Sequence, residues 1–168
     1  MCNVLRHTVR YAASFLLVIA MTAGVALAAD DPFIGKWQLD LARSKYETGD
    51  IPKGMTITME TTDRGIHYRS ETIFSNDRHS TTEYTANYDE RLATVQKDSG
   101  LAVPVSLKRV DDHTVVAKFE RAFKTIATST RVISDDGRTM TITTAETPKE
   151  NDKDGKAPTT VLVFRRAE

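Results

Sequence analysis

Two arginines and a set of tyrosines carry the chemistry this sequence can offer. Arg109 continues the parity of Val103, Val105 and Leu107, and Arg131 continues that of Phe123, Ala127 and Ser129. If those parities face the interior of a β-protein, each guanidinium needs a partner, because an unpaired buried charge is costly. The acidic head group of a ligand is one such partner, since it accepts two parallel hydrogen bonds from the planar fork. The other arrangement leaves each arginine at a strand end, its head in water and its stem on apolar surface. Tyr68, Tyr84, Tyr88, Phe74 and Phe119 share the apolar parity of their strands and either line the same interior or fill it.

Other chemistries find little support. His67 falls on the polar parity of its strand, and His79 and His113 fall in or beside turns. None forms the same-face pair at fixed spacing that a zinc motif uses, so all three read as solvated surface residues. Asp111-Asp112 and Asp135-Asp136 sit where the chain must turn, and Asp is favoured there because its carboxylate accepts from nearby backbone amides. No G-x-S-x-G elbow or glycine-rich phosphate cradle is present. The Asp/Lys-rich stretch 148–158 lacks the ligand spacing of a calcium loop and reads as a solvated loop. The expectation is a protein without catalytic residues, bound metal or cofactor.

The elements that would position these side chains are strands. Threonine is abundant, helical periodicity is nearly absent, and short alternating runs recur about every ten residues between turn signals. Alternation covers 35–41, 55–62, 66–74, 81–88, a shorter run at 91–96, 103–108, 114–121, 124–134, the run through Met140 and Ile142, and 159–166. Asp135-Asp136-Gly137 is a hairpin signal, and only 40–46 suggests a helical turn. A meander of this length would leave unpaired edges unless it closed on itself or split into two packed sheets. The expected fold is all-β: a closed antiparallel up-and-down barrel of eight to ten strands, with a β-sandwich as the second choice. Strand faces rich in Thr, Lys and Glu, and aromatics at only 7% of the chain, speak against an outward apolar band of the porin kind.

The chain has 168 residues, a one-domain length, with 23 basic against 23 acidic side chains. That balance lacks the basic excess a nucleic-acid binder needs. Arg6 and Arg10 precede an apolar run from Tyr11 to Leu27, and Ala26-Leu27-Ala28 is an A-x-A pattern followed by acidic residues. This order predicts a secretory signal peptide over residues 1–28, cleaved to leave one domain at 29–168 in the periplasm or secreted. Cleavage would remove Cys2, the single cysteine, together with both leader arginines, leaving 21 basic and 23 acidic residues and no thiol or disulfide.

At the start of the expected mature chain, Phe33, Gly35, Trp37 and Leu39 form a Phe-x-Gly-x-Trp-x-Leu pattern. It resembles the first-strand signature of lipocalins and fatty-acid-binding proteins, the calycin group of barrels. With FIGKWQLDLARSKY, VSLKRVDDHTV and RVISDDGRTMTITT, the region 31–168 is similar to small secreted bacterial lipocalin-like proteins of undefined function. The resemblance implies that Trp37 closes one barrel end, with Arg165 or Arg166 laid across its indole. It does not extend to the portal helices of fatty-acid-binding proteins, because only about a dozen residues join the first two strands.

The expected function is that of an exported binding protein holding a small apolar or amphipathic ligand in a barrel lumen, with no nucleic-acid partner and no membrane span after cleavage. The alternative is an envelope interaction, stress or inhibitor protein with a filled core acting through its loops. Interior volume separates the two.

Overall fold

The computed structural model describes residues 31–47, 51–148 and 157–167. The expected leader at 1–28, and residues 149–156 of the polar loop, lie outside the described residues. The described strands are β1 (Gly35–Leu39), β2 (Pro52–Thr62), β3 (Gly65–Phe74), β4 (His79–Ala86), β5 (Gln96–Lys97), β6 (Gly100–Leu101), β7 (Val105–Asp111), β8 (Thr114–Arg121), β9 (Lys124–Ile133), β10 (Thr139–Glu146) and β11 (Thr159–Arg166). A 3-10 turn at Leu41–Arg43 is the expected helical piece.

All eleven belong to one antiparallel sheet in the order β6-β5-β4-β3-β2-β1-β11-β10-β9-β8-β7. First and last strands meet: Trp37 of β1 pairs with Ile57 of β2 on one side and Arg166 of β11 on the other. One continuous sheet sets the sandwich alternative aside. The remaining seam lies between β4 and β7. There the segment after β4 turns along β7 through bridges at Asp89–Lys108 and Ala93–Val105, with Ala93 N–H donating to the Val105 carbonyl at 2.7 Å and Val105 returning the bond at 3.0 Å. The strand expected at 91–96 is thus an irregular seam followed by the two-residue pieces β5 and β6. Charged Arg91 and exposed Leu92 interrupt its alternation, and only Val95 is fully buried there.

The meander gives the barrel two unlike ends. At the closed end, Phe33, Trp37, Ile57, Met59, Leu107, Val115, Ile133, Met140 and Phe164 are almost completely buried. These residues alternate with threonines, lysines and glutamates that face water, as the period of two requires. The open end gathers the β3–β4 and β8–β9 turns. The described part of the connection from β1 to β2 lies against β11: Lys45 pairs with Val161, and the Ser44 hydroxyl accepts from Val163 N–H at 3.0 Å.

Candidate ligand-binding site

The closed end is sealed by two arginine clusters. Arg166 lies over the Trp37 ring, 4.3 Å from its centroid, and donates to the carbonyls of Gly137 (2.8 Å), Ile34 (2.8 Å) and Pro32 (2.6 Å). Its neighbour Arg165 points away and pairs with the buried carboxylate of Asp40 at 3.1 Å. Of the two arginines the resemblance allowed, Arg166 is therefore the one on the indole. The glycine of the first-strand pattern has a direct reason in this cluster. Gly35 has φ +127, and a Cβ there would stand 2.7 Å from an Arg166 Nη.

The second cluster corrects an expectation. Arg109 and Tyr88 are not in the wall of the large cavity described below; both bind Asp31. The Tyr88 hydroxyl donates to Asp31 Oδ2 at 2.8 Å, Arg109 Nη2 donates to the same oxygen at 2.5 Å, and Asp31 Oδ1 accepts from Phe33 N–H at 3.1 Å. The guanidinium also lies 4.3 Å from the Tyr88 ring centroid and 5.6 Å from that of Phe33. Arg109 has its carboxylate within the chain, and the cluster pins the segment entering β1 across the barrel end. Burial, then the bond to Asp31, push the Tyr88 phenol well above its ordinary value.

Towards the open end the barrel is hollow. A cavity of about 1060 Å³ opens there, with two unlike walls. On the β3–β4 wall, Ser70 faces Thr82 and Thr72 faces Ser80 across the ladder, placing four hydroxyls side by side. The facing surface is apolar, built from Phe119, Ile126, Val103, Pro104 and Val95. Phe119 therefore lines the lumen as its parity indicated.

Tyr68 belongs to the cavity wall and carries the site's charge behind it. Its ring stacks on Tyr84 with centroids 4.7 Å apart and planes 12° from parallel. Arg131 lies 4.9 Å from the Tyr68 centroid and donates from Nη2 to the Tyr84 hydroxyl at 2.6 Å. The residue is 6% exposed, and its Nε–H is buried without a hydrogen-bond acceptor. No carboxylate among the described residues forms an ion pair with it. Burial pushes the Tyr84 phenol up to about 12, so at neutral pH Tyr84 is an uncharged hydroxyl and supplies no counter-charge. Arginine stays protonated in proteins. Among the described residues Arg131 is thus the one buried cation, held by a hydroxyl and two ring faces, one side chain removed from a large lumen.

The structure brings Tyr68, Tyr84 and Arg131 together, places Phe119 across the cavity from them, and assigns Arg109 and Tyr88 to the closed end. Sequence reasoning missed Asp31, whose only signal was its place two residues before the first-strand pattern. It also missed the hydroxyl wall, whose Ser70 and Thr72 lie between Tyr68 and Phe74 on the same parity. Asp111 and Asp136 are turn formers: Asp111 accepts from His113 N–H at 2.8 Å, and Asp136 accepts from Ser134 Oγ at 2.5 Å and Arg138 N–H at 3.0 Å. Those bonds hold both carboxyls below their usual range. Among the described residues no group of three or more His, Cys, Asp or Glu is placed to hold a metal.

These features define an antiparallel up-and-down β-barrel with a hollow open end. The chain matches no family model and no curated protein. Among solved structures it is similar to the zebrafish ileal bile acid-binding protein complexed with cholic acid, with 12% identity, a TM-score of 0.52, and coverage of 81% of this chain and 99% of that one. A de novo designed fluorescence-activating β-barrel has 16% identity over 80% of this chain and 94% of its own, with a TM-score of 0.34.

Proposed function

We propose that the protein is an exported carrier that holds a small amphipathic acid in its lumen, with the anionic group drawn to Arg131 and the apolar body towards the open end. The observation that carries this reading is the buried Arg131 guanidinium, which has an orphan Nε–H and no carboxylate partner among the described residues, beside a cavity of about 1060 Å³. A ligand carboxylate or sulfonate would provide the missing charge and acceptor in a low-dielectric setting, where such a bond is strong. Reaching the guanidinium requires the Tyr68 ring to swing from its stack on Tyr84. The volume is at the upper end of what small-molecule sites use. The zebrafish neighbour was solved with cholic acid, an acid with an apolar body, which is consistent with this ligand class. Export to the periplasm or the medium rests on the leader pattern at 1–28 and on the resemblance to secreted bacterial barrels. The rival reading, a solid barrel acting through its loops, requires a filled interior and has no comparable support.

The test compares a long-chain carboxylic acid with the alcohol of equal length by equilibrium binding to the delipidated protein. The acid is expected to bind at least about tenfold more tightly, and Arg131→Met is expected to abolish that preference. Equal affinity for acid and alcohol in the unsubstituted protein would contradict the assignment of Arg131.

A further inference from the structure

The hairpin joining β8 to β9 combines three properties that barrel closure does not explain. Its two central residues, Ala122 and Phe123, have φ of 48° and 63°. Two-residue hairpins of this kind strongly favour Asn and Gly, and a bulky aromatic residue in the left-handed region is uncommon and strained. The Phe123 side chain recovers nothing by packing, because the residue is 98% exposed. It stands at the rim of the open cavity, whose wall also includes Leu92, itself 52% exposed.

The charged residues flanking this tip in sequence are cationic. Arg121 and Lys124 flank it in sequence, Lys97 lies on the same rim, all three are exposed, and none forms an ion pair among the described residues. Glu120 in the cavity wall is half-buried, and exposed Glu146 pairs with Ala127 across the β9–β10 ladder; Asp98, beside Lys97, accepts from Thr81 N–H. A protruding phenyl ring with one leucine covers far less than the roughly 800 Å² per partner that a specific protein interface buries. An aromatic tip beside cations does fit the interface of a bilayer, where the ring enters the head-group region and the cations meet anionic lipid.

We infer that the Ala122–Phe123 hairpin is a membrane-docking tip, which seats the mouth of the barrel on an anionic lipid surface by inserting Phe123 between cationic neighbours. The inference does not depend on the lumen being loaded, and it accounts for a strained turn that a neutral hairpin would replace with Asn-Gly.

The test uses delipidated, folded protein and vesicles of phosphatidylcholine with or without phosphatidylglycerol. Trp37 is fully buried, so in Phe123→Trp any emission change on adding vesicles reports the new indole. With phosphatidylglycerol vesicles the emission is expected to shift to the blue and to be quenched by brominated acyl chains; pure phosphatidylcholine is expected to give neither. Changing Ala122→Asn and Phe123→Gly together is expected to raise the midpoint of thermal unfolding while weakening partitioning about tenfold. Arg121→Gln and Lys124→Gln are each expected to weaken it about fivefold. Unchanged emission on phosphatidylglycerol vesicles would overturn the inference, as would an equal response to both vesicle types or undiminished partitioning of the Asn-Gly variant.

Discussion

Arg131 donates to the Tyr84 hydroxyl at 2.6 Å in the barrel interior, and its buried guanidinium forms no ion pair with any carboxylate among the described residues. A buried charge so placed costs stability, and replacing a buried ionic group with apolar residues of similar volume often stabilises by about 1–4 kcal/mol. The combined changes Arg131→Met and Tyr84→Phe remove the charge without leaving the phenol unpaired. The apo protein carrying both is expected to be more resistant to urea than the parent, and to have lost its preference for anionic ligands. Lower stability in the double variant would mean that the pair is there for the fold.

Arg109 and Arg131 have opposite assignments, and substitution separates them. Arg109 ties Asp31 to β7, so Arg109→Met is expected to cost about 1–3 kcal/mol, chiefly because Asp31 and Tyr88 lose a shared partner. Ligand affinity is expected to stay within about twofold, since the side chain does not line the lumen. Arg131→Met gives the reverse pattern. Urea titration and equilibrium binding on the two variants check both halves.

Adjacent arginines at the end of β11 are likewise unequal. Arg166 makes three bonds to carbonyls and covers Trp37, so Arg166→Met is expected to lose about 2–4 kcal/mol and to redden the Trp37 emission. Arg166→Lys recovers little, because an ammonium cannot reproduce the planar fork. Arg165→Met, at a side chain 69% exposed, is expected to cost within about 1 kcal/mol. Denaturation midpoints of the three variants decide the matter.

Burial raises Tyr84 from its ordinary value of 10.0 to about 12. The folded state therefore holds the phenolic proton more tightly than the unfolded chain does. That contribution to stability is fully present below pH 10 and is lost as pH climbs from 10 through about 12. Alkaline unfolding in this window is expected to shift upward in Tyr84→Phe, and ultraviolet titration of the parent should show the Tyr84 and Tyr88 phenolates appearing only with unfolding.

The architecture was legible because alternation and turn chemistry agree along most of the chain. The spans of β8 and β11 coincide with their alternating runs, and Asp135-Asp136-Gly137 turns where expected, with Gly137 at φ +67. Three features were hidden for physical reasons. The seam at 87–95 pairs through single bridges, which leave no period in the sequence. The β8–β9 turn uses Ala-Phe in place of Asn-Gly, so Phe123 had been placed on a strand face and instead projects into water. Parity also put Arg109 and Arg131 on inner faces alike. Only the return of Asp31 to the closed end, 78 positions from Arg109 in sequence, separates an arginine with its own carboxylate from one without.

The central claim is that the lumen holds an acidic amphipathic molecule. It is tested most directly by native mass spectrometry of the protein purified gently from the organism that makes it, beside the Arg131→Met variant prepared in the same way. The expected result is a reproducible extra mass on the parent, lost on organic extraction, recovered as an acid, and absent from the variant. A clean apo mass for the parent, with no thermal shift towards any acid or neutral amphiphile added back, would contradict the carrier reading.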